Sequence, residues 1–320
     1  MNIHPGLQMP MALRRCCWCG EAEKPHQKHK KCASCEYVIY CSKECQKAAW
    51  PDHKQACRYM TESTRRFDGV YESEVLPFGF SSSLAYSRAL GDWTEAHSWA
   101  LQTCAQAFVL QLGGTSFIKI PSEYIMCYRL TCRTKPGQSA ASRNPAMMFV
   151  AQTQGVVKIE DWMQMHPNNV LHWQGTASER DLIARSMAER CGSAFACLLT
   201  VVFKSDGITS SNTLHFPVLH TRQRLPLDDA AKDLLGDVIA LCYRSIDQGF
   251  PLRCLEGSDS TMPLPGHFVR RSGKWVWEPF FEDWDDFSPT STEYPALCRA
   301  VAAFKTKLTP KQLLTALLSF

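Results

Sequence analysis

No stretch of this sequence is apolar for long enough to cross a bilayer as a helix. The longest nearly unbroken apolar run is Ala194 to Phe203, about half of the roughly 20 residues that a span needs. The first 15 residues hold Pro5, Gly6 and Pro10 and no apolar centre, so they read as a loose leader and not as a secretory signal. There is no glycine-rich phosphate loop, no dinucleotide fingerprint and no internal repeat. Charge of one sign is also missing. The 35 basic and 31 acidic side chains leave a formal +4, too balanced for a chain that coats nucleic acid by charge alone. What remains is ordinary globular composition, 45% apolar and 21% charged over 320 residues, with room for one large domain or two smaller ones.

Cysteine breaks the ordinary pattern. Of 16 cysteines, eight fall between Cys16 and Cys57 and eight are scattered from Cys104 to Cys298. Without a secretory signal, the dense group points to metal and a reducing, intracellular compartment, cytoplasm and/or nucleus, more than to disulfides. The scattered group reads as buried free thiols. Residues 1–66 carry 12 Lys/Arg and 6 Asp/Glu. Seven thiolates and two zinc ions would cut that surplus to about +3, a weak attraction for nucleic acid.

Along the chain, residues 58–91 are polar, with Gly69, Pro77 and Gly79, and read as a linker or covering segment. Asp92, with Glu95 completing a capping box, opens a helix that Gly113–Gly114 stops. Trp93, His97, Ala100, Leu101, Cys104 and Phe108 recur at helical spacing, one apolar face, with His97 a core histidine. Phe117 to Ile120, Tyr124 to Cys132 and Met147 to Gln152 read as strands. Thr153–Gln154–Gly155 reads as a turn into Val156 to Ile159. Ser178 to Cys191 is a helix with Ser178 and Asp181 as a capping box. Ala194 to Lys204 and Leu214 to Leu219 are strands, and Leu227 to Asp247 is a long amphipathic helix. Phe268 to Arg270 and Trp275 to Trp277 form a hairpin about Ser272–Gly273, and Pro295 to Lys307 and Pro310 to Leu318 are helices. Strands mixed with helices, without strict alternation, predict an α+β domain over 92–320 with a mixed or antiparallel sheet.

The dense group is spaced Cys16-x2-Cys19, Cys32-x2-Cys35, Cys41-x3-Cys45 and His53-x3-Cys57. Eight sulfur or imidazole ligands are the count for two tetrahedral zinc ions. A Cys-x2-Cys knuckle aims both sulfurs at one ion, and the pairs four apart share one face of a helix. Ser42 is placed to cap the turn after Cys41. A unit of this size with few large apolar side chains cannot hold a core alone, so the metal would hold it. Cys17 beside a ligand reads as a spectator or an exchange partner. His26 and His29, among Lys28, Lys30 and Lys31, read as a solvated loop, an auxiliary ligand or a phosphate contact.

These ligands, together with Tyr40, Gln46 and Trp50 in register, resemble a MYND-type zinc finger over residues 16–57. The resemblance implies a cross-braced fold. Cys16, Cys19, Cys41 and Cys45 would hold one zinc, and Cys32, Cys35, His53 and Cys57 the other. It also implies a docking groove for a short, proline-containing peptide, with Gln46 and Trp50 as its residues and Tyr37 to Tyr40 as a possible strand edge.

The remainder of the chain carries no motif that names a reaction. Some MYND fingers sit inside SET-domain lysine methyltransferases, which need cofactor-binding sequence before the finger and an Asn-His-Ser/Cys motif after it. Only 15 residues precede Cys16 here and no Asn-His pair occurs, so that class is not expected. Cys191, Cys197, His215 and His220 could supply a nucleophile and base. The run Glu278, Glu282, Asp283, Asp285 and Asp286 lacks the spacing and glycine of a calcium loop and reads as a solvated acidic face. The expectation is a zinc-binding interaction module or adaptor, with no catalytic residue assigned. The alternatives are an enzyme whose site lies in residues 93–320 and, behind it, a nucleic-acid-binding regulator.

Overall fold

A computed structural model describes residues 16–19, 21, 29–36, 38–67, 70–133, 143–209, 211–221, 227–255 and 262–319. The leader expected over residues 1–15, and His26 and Tyr37, lie outside them.

The cysteine-rich unit has two short antiparallel strands, β1 (Lys30–Lys31) and β2 (Ile39–Tyr40). Helix α1 (Lys43–Phe67) follows and runs ten residues beyond Cys57. Next come α2 (Val70–Val75), α3 (Ser83–Ala96) and α4 (Ser98–Gly113). The segment read as a polar linker is therefore mostly helical. The part of α1 after Cys57 carries no apolar periodicity, so its helicity leaves no stripe in the sequence, whereas Tyr86 and Leu90 of α3 are buried at helical spacing. The expected helix start at Asp92 is also displaced. The cap is Ser82, whose hydroxyl accepts from the Ala85 N–H, and Asp92 lies inside α3.

A 3₁₀ turn over Gly114–Lys119 leads into α5 (Ile120–Glu123), where a strand was expected from Phe117 to Ile120. Then come β3 (Tyr124–Cys132), β4 (Phe149–Lys158), α6 (Ile159–Met165), α7 (Pro167–Gly175) and α8 (Ala177–Cys191). The cap of α8 is Thr176, without a side-chain capping bond, and not Ser178. After these come β5 (Phe195–Ser205), β6 (Ser211–Leu219), α9 (Asp229–Gln248), β7 (Leu252–Arg253), β8 (Leu264–Arg271), β9 (Lys274–Pro279), α10 (Pro295–Ala302) and α11 (Pro310–Ser319).

The central sheet has the order β4-β3-β5-β6, with β3 and β5 parallel and the outer pairs antiparallel. Alternate residues of its strands face opposite layers. Met126, Tyr128, Leu130, Leu199, Val201 and Phe203 join the main core with Trp93, Leu101 and Cys104 of α3 and α4 and Leu235, Val238 and Cys242 of α9. Ile125 and Val202 point the other way, onto Ile159 and Trp162 of α6. The sheet is mixed and helices cover both its faces, an α+β arrangement in which the main core lies under α4 and α9.

Gly155, read as part of a turn, lies inside β4 opposite Cys127. The register shifts between Arg129 and Leu130, whose partners are Thr153 and Ala151. The turn signal marks a bulge in a continuous strand. The hairpin β8–β9 turns through Ser272 and Gly273, both at positive φ (48° and 80°), the conformation of a two-residue turn.

Candidate metal centre

The two Cys-x2-Cys knuckles and the two pairs on or beside α1 converge in two groups. The ligand atoms of Cys16, Cys19, Cys41 and Cys45 all lie within 4.8 Å of one another, and so do those of Cys32, Cys35, His53 and Cys57. The knuckles are tied by backbone bonds. Cys17 N–H donates to Ile39 O and Cys32 N–H to Val38 O, each at 2.9 Å. Ser42 Oγ accepts from Cys45 N–H at 3.2 Å, the helix cap expected from its position.

The ligand spacings fit zinc. In a tetrahedral site two sulfurs stand about 3.8 Å apart, and a sulfur and an imidazole nitrogen about 3.6 Å. Cys19–Cys41 is 3.6 Å, Cys41–Cys45 3.4 Å, Cys32–Cys57 3.7 Å, and Cys35 Sγ to His53 Nε2 3.6 Å. A disulfide needs about 2.05 Å, and these cysteines are free thiols.

Charge points the same way. Burial pushes the Cys16 thiol up, yet backbone donors at Cys19, Cys41 and Trp18 outweigh it and bring the group down to about 6. The same pattern recurs at Cys32, where donors at Cys35 and Ser34 outweigh burial. Cys41 is pushed up to about 12, first by its bond with Cys45 and then by burial and the other thiols of its cluster. The Cys16 cluster thus stabilises one thiolate while Cys41 and Cys45 resist ionisation, and in the other cluster Cys32 is stabilised while burial and Cys32 push Cys57 up. A divalent cation among the sulfurs removes that conflict. Burial also lowers the His53 imidazole, which keeps it neutral and able to ligate.

Residues 16–57 match the family model of the MYND finger. This segment forms a MYND finger. Its two sites are cross-braced, one built from four cysteines and the other from three cysteines and a histidine, and they suit two zinc ions. Curated relatives match over this segment. A fission yeast (Schizosaccharomyces pombe) protein described as SET domain and MYND-type zinc finger protein 6 is 44% identical over 50 residues, 16% of this chain and 10% of its own length. The human histone-lysine N-methyltransferase SMYD3 is 42% identical over 41 residues, 13% of this chain and 10% of its own. The Aspergillus clavatus MYND-type zinc finger protein samB is 43% identical over 47 residues, 14% of this chain and 8% of its own. The chain therefore spans about a tenth of the length of the relatives it matches. No solved structure matches it. MYND fingers are zinc-binding protein-interaction modules.

Gln46 and Trp50 lie one turn apart on α1, Gln46 half-buried and Trp50 41% exposed. The outward carbonyl of Ile39 is taken by Cys17 N–H, so the strand edge expected at Tyr37 to Tyr40 is occupied at that residue. Two residues outside the expected set belong to the finger's surface. Trp18, in the first knuckle, is 51% exposed, and a Trp inside a Cys-x2-Cys pair has no core to enter. Glu36, at φ 57° directly after the second knuckle, forms an ion pair with Arg88 of α3 and so ties the finger to the large domain. Cys17 stands outside both clusters, and His29 is buried.

The other candidate sets do not assemble. His215 Nδ1 meets Thr200 Oγ1 at 3.1 Å. Among the described residues no hydrogen bond joins His215 or His220 to Cys191 or Cys197. Burial pushes Cys197 up to about 11, the opposite of an activated nucleophile. In the acidic run, Asp283 and Asp285 share Lys311, and Glu278 pairs with Arg271. Among the described residues no helix is long and apolar enough to cross a membrane.

Proposed function

We propose that the chain is a zinc-dependent adaptor whose finger docks a short, proline-containing segment of a partner protein, with the α+β domain as a second platform. One observation carries this reading. Trp50 sits one turn from the ligand His53 and meets its ring edge-on at 6.1 Å, yet 41% of the residue faces solvent. A tryptophan serving only as a lid would be buried. Here the metal-built helix holds an aromatic wall open, with Gln46 beside it to bond a peptide backbone. Extended proline-containing peptides arrive pre-ordered and stack on such walls.

The reading is tested by titrating the zinc-loaded chain with proline-containing peptides. An anchor worth about 2 kcal/mol means that Trp50→Ala weakens binding roughly thirtyfold, with zinc content unchanged. Loss of zinc together with binding would make Trp50 structural, and undiminished binding would move the groove elsewhere.

Two relatives carry SET or methyltransferase in their names, which raises a second reading for this chain. The shared segment is the finger, and the sequence has no Asn-His pair. Our reading is that the chain is not an enzyme of that class. Saturable micromolar binding of S-adenosylmethionine in calorimetry would overturn it. On the same reading the chain works in a reducing compartment, cytoplasm or nucleus, where a finger of seven thiolates keeps its metal.

A further inference from the structure

Helix α1 carries a row of cations that zinc ligation does not use. Lys43, Lys47, Trp50, Lys54 and Arg58 follow one another at steps of four, three, four and four along it, the steps that keep side chains on one face of a helix. At 100° per residue all five fall within an arc of about 80°, and all five are exposed. The row is about 22 Å long, with Trp50 near its middle and two cations on either side. Among the described residues none of these four cations takes part in an ion pair. Glu44 and Glu62, at the margin of the row, lie within one turn of Lys47 and Arg58 and close no ion pair with them. Asp52 lies about 200° round the helix from Trp50.

Folding alone does not call for this arrangement. Like charges four apart, as in Lys43 and Lys47 or Lys54 and Arg58, weaken a helix, and alternating charge would strengthen it. An uncompensated cationic row about an exposed aromatic suits an anionic partner. A single-stranded nucleic acid stacks successive bases on successive aromatic rings, and this row offers one ring. Glu44 and Glu62 at its margin also oppose a continuous polyanion. A peptide with separate carboxylates fits both features.

We propose that the segment docked on α1 is acidic on both sides of its proline, with carboxylates two residues from the residue over Trp50 meeting Lys47 and Lys54, and carboxylates four residues away meeting Lys43 and Arg58. This rests on the reading of Trp50 as the wall of a peptide groove, and it names the chemistry of the partner. The register follows from the two rises. The cations stand about 4.5 and 10.5 Å before Trp50 and about 6 and 12 Å after it. An extended segment rises about 3.3 Å per residue with alternate residues on one face, so its second and fourth neighbours lie about 6.6 and 13 Å away. The flexible lysine stems absorb the difference.

Fluorescence anisotropy on the full, zinc-loaded chain tests this with three labelled peptides. Each has a central proline, and glutamate, glutamine or lysine at two and four residues on either side. At about 50 mM salt the glutamate peptide should bind about tenfold more tightly than the glutamine peptide, as four exposed charge pairs allow, and the lysine peptide most weakly. At about 500 mM salt most of the difference should be screened away. The double variant Lys43→Glu/Lys54→Glu should bind the glutamate and lysine peptides alike, with zinc content and affinity for the glutamine peptide unchanged, which a misfolded finger would not keep. If glutamate and glutamine peptides bind the wild type alike while Trp50→Ala weakens both, the groove stands and this proposal fails. If none of the peptides binds, the groove fails and the proposal with it. A glutamate preference that the double variant retains would overturn the proposal. So would an oligothymidylate that displaces the glutamate peptide at a lower concentration than the unlabelled peptide does, which would make the row a nucleic-acid surface.

Discussion

The ring of Trp50 stands edge-on to that of His53, 6.1 Å between centroids and 68° between planes, and His53 also meets the ring of Tyr40 at 6.2 Å. A metal ligand thus touches one exposed aromatic and one fully buried one. Zinc, helix and surface tryptophan are mechanically connected. His53→Ala should therefore do two things together: release the zinc of the Cys32, Cys35 and Cys57 cluster and shift the fluorescence of Trp50 toward that of a solvated indole. Comparison with a Trp50→Phe background isolates the signal. An unchanged Trp50 component after zinc loss would show that the ring is held by something else.

The finger and the large domain have separate cores, one of cysteines and Tyr40 and one under α4 and α9. Cys35→Ser should unfold the finger and leave the helices and strands of the large domain in place. Hydrogen exchange measures this. Protection should be lost over residues 30–57 and kept in β3, β5 and α9. Loss of protection throughout would mean that the two units fold as one.

His97 is fully buried, with Nε2 3.0 Å from Ala146 O. Burial drives its imidazole down to about 4, against the pull of that carbonyl and with help from Arg253 and Arg133. An unfolded histidine titrates near 6.5. As pH falls through 6.5 the unfolded chain takes a proton that the native state refuses. Stability is therefore full above about 6.5, drains away down to about 4 and levels off below, a loss of roughly 3 kcal/mol. His97→Gln lowers stability at neutral pH but removes this contribution. Denaturant midpoints followed between pH 7 and 4.5 should fall less steeply in the variant than in the wild type. Equal slopes would contradict the assignment.

Gly266 of β8 sits where no larger residue fits. A Cβ there would lie 2.3 Å from Glu278 O and 2.6 Å from the Trp277 ring, and Trp277 is itself held by a bond to Pro251 O. Gly266→Ala should cost about 1–3 kcal/mol or more, as overpacking against fixed backbone does. The cost would appear as a lower midpoint for the large domain with zinc content intact. A variant as stable as the wild type would mean that the hairpin can shift freely.

Much of this was legible in the sequence where a local rule has a single solution. The eight ligands, the strand Tyr124–Cys132 and the hairpin about Ser272–Gly273 fall where spacing, β-branching and turn chemistry put them. The pairing of ligands was not available from spacing, because cross-bracing is a tertiary fact, and it came from family resemblance. The misses have physical causes. Asp92 and Glu95 make a capping pattern, but α3 runs through them, and the break comes at His97, whose ring is committed to Ala146. Phe117 to Ile120 has strand composition, yet it folds back on the end of α4 so closely that a Cβ on Gly113 would lie 2.8 Å from Ile120. Helix α1 continues past Cys57 with no apolar stripe to announce it. Trp18 and Glu36 gained their places only when the knuckles folded.

A metal-built finger attached to a domain with its own core is tested most directly by a count of bound metal. Native mass spectrometry of the purified chain should show about two zinc ions, as two four-ligand sites require, and none after deletion of residues 1–60. A single zinc in the intact chain, or two retained without the finger, would contradict it.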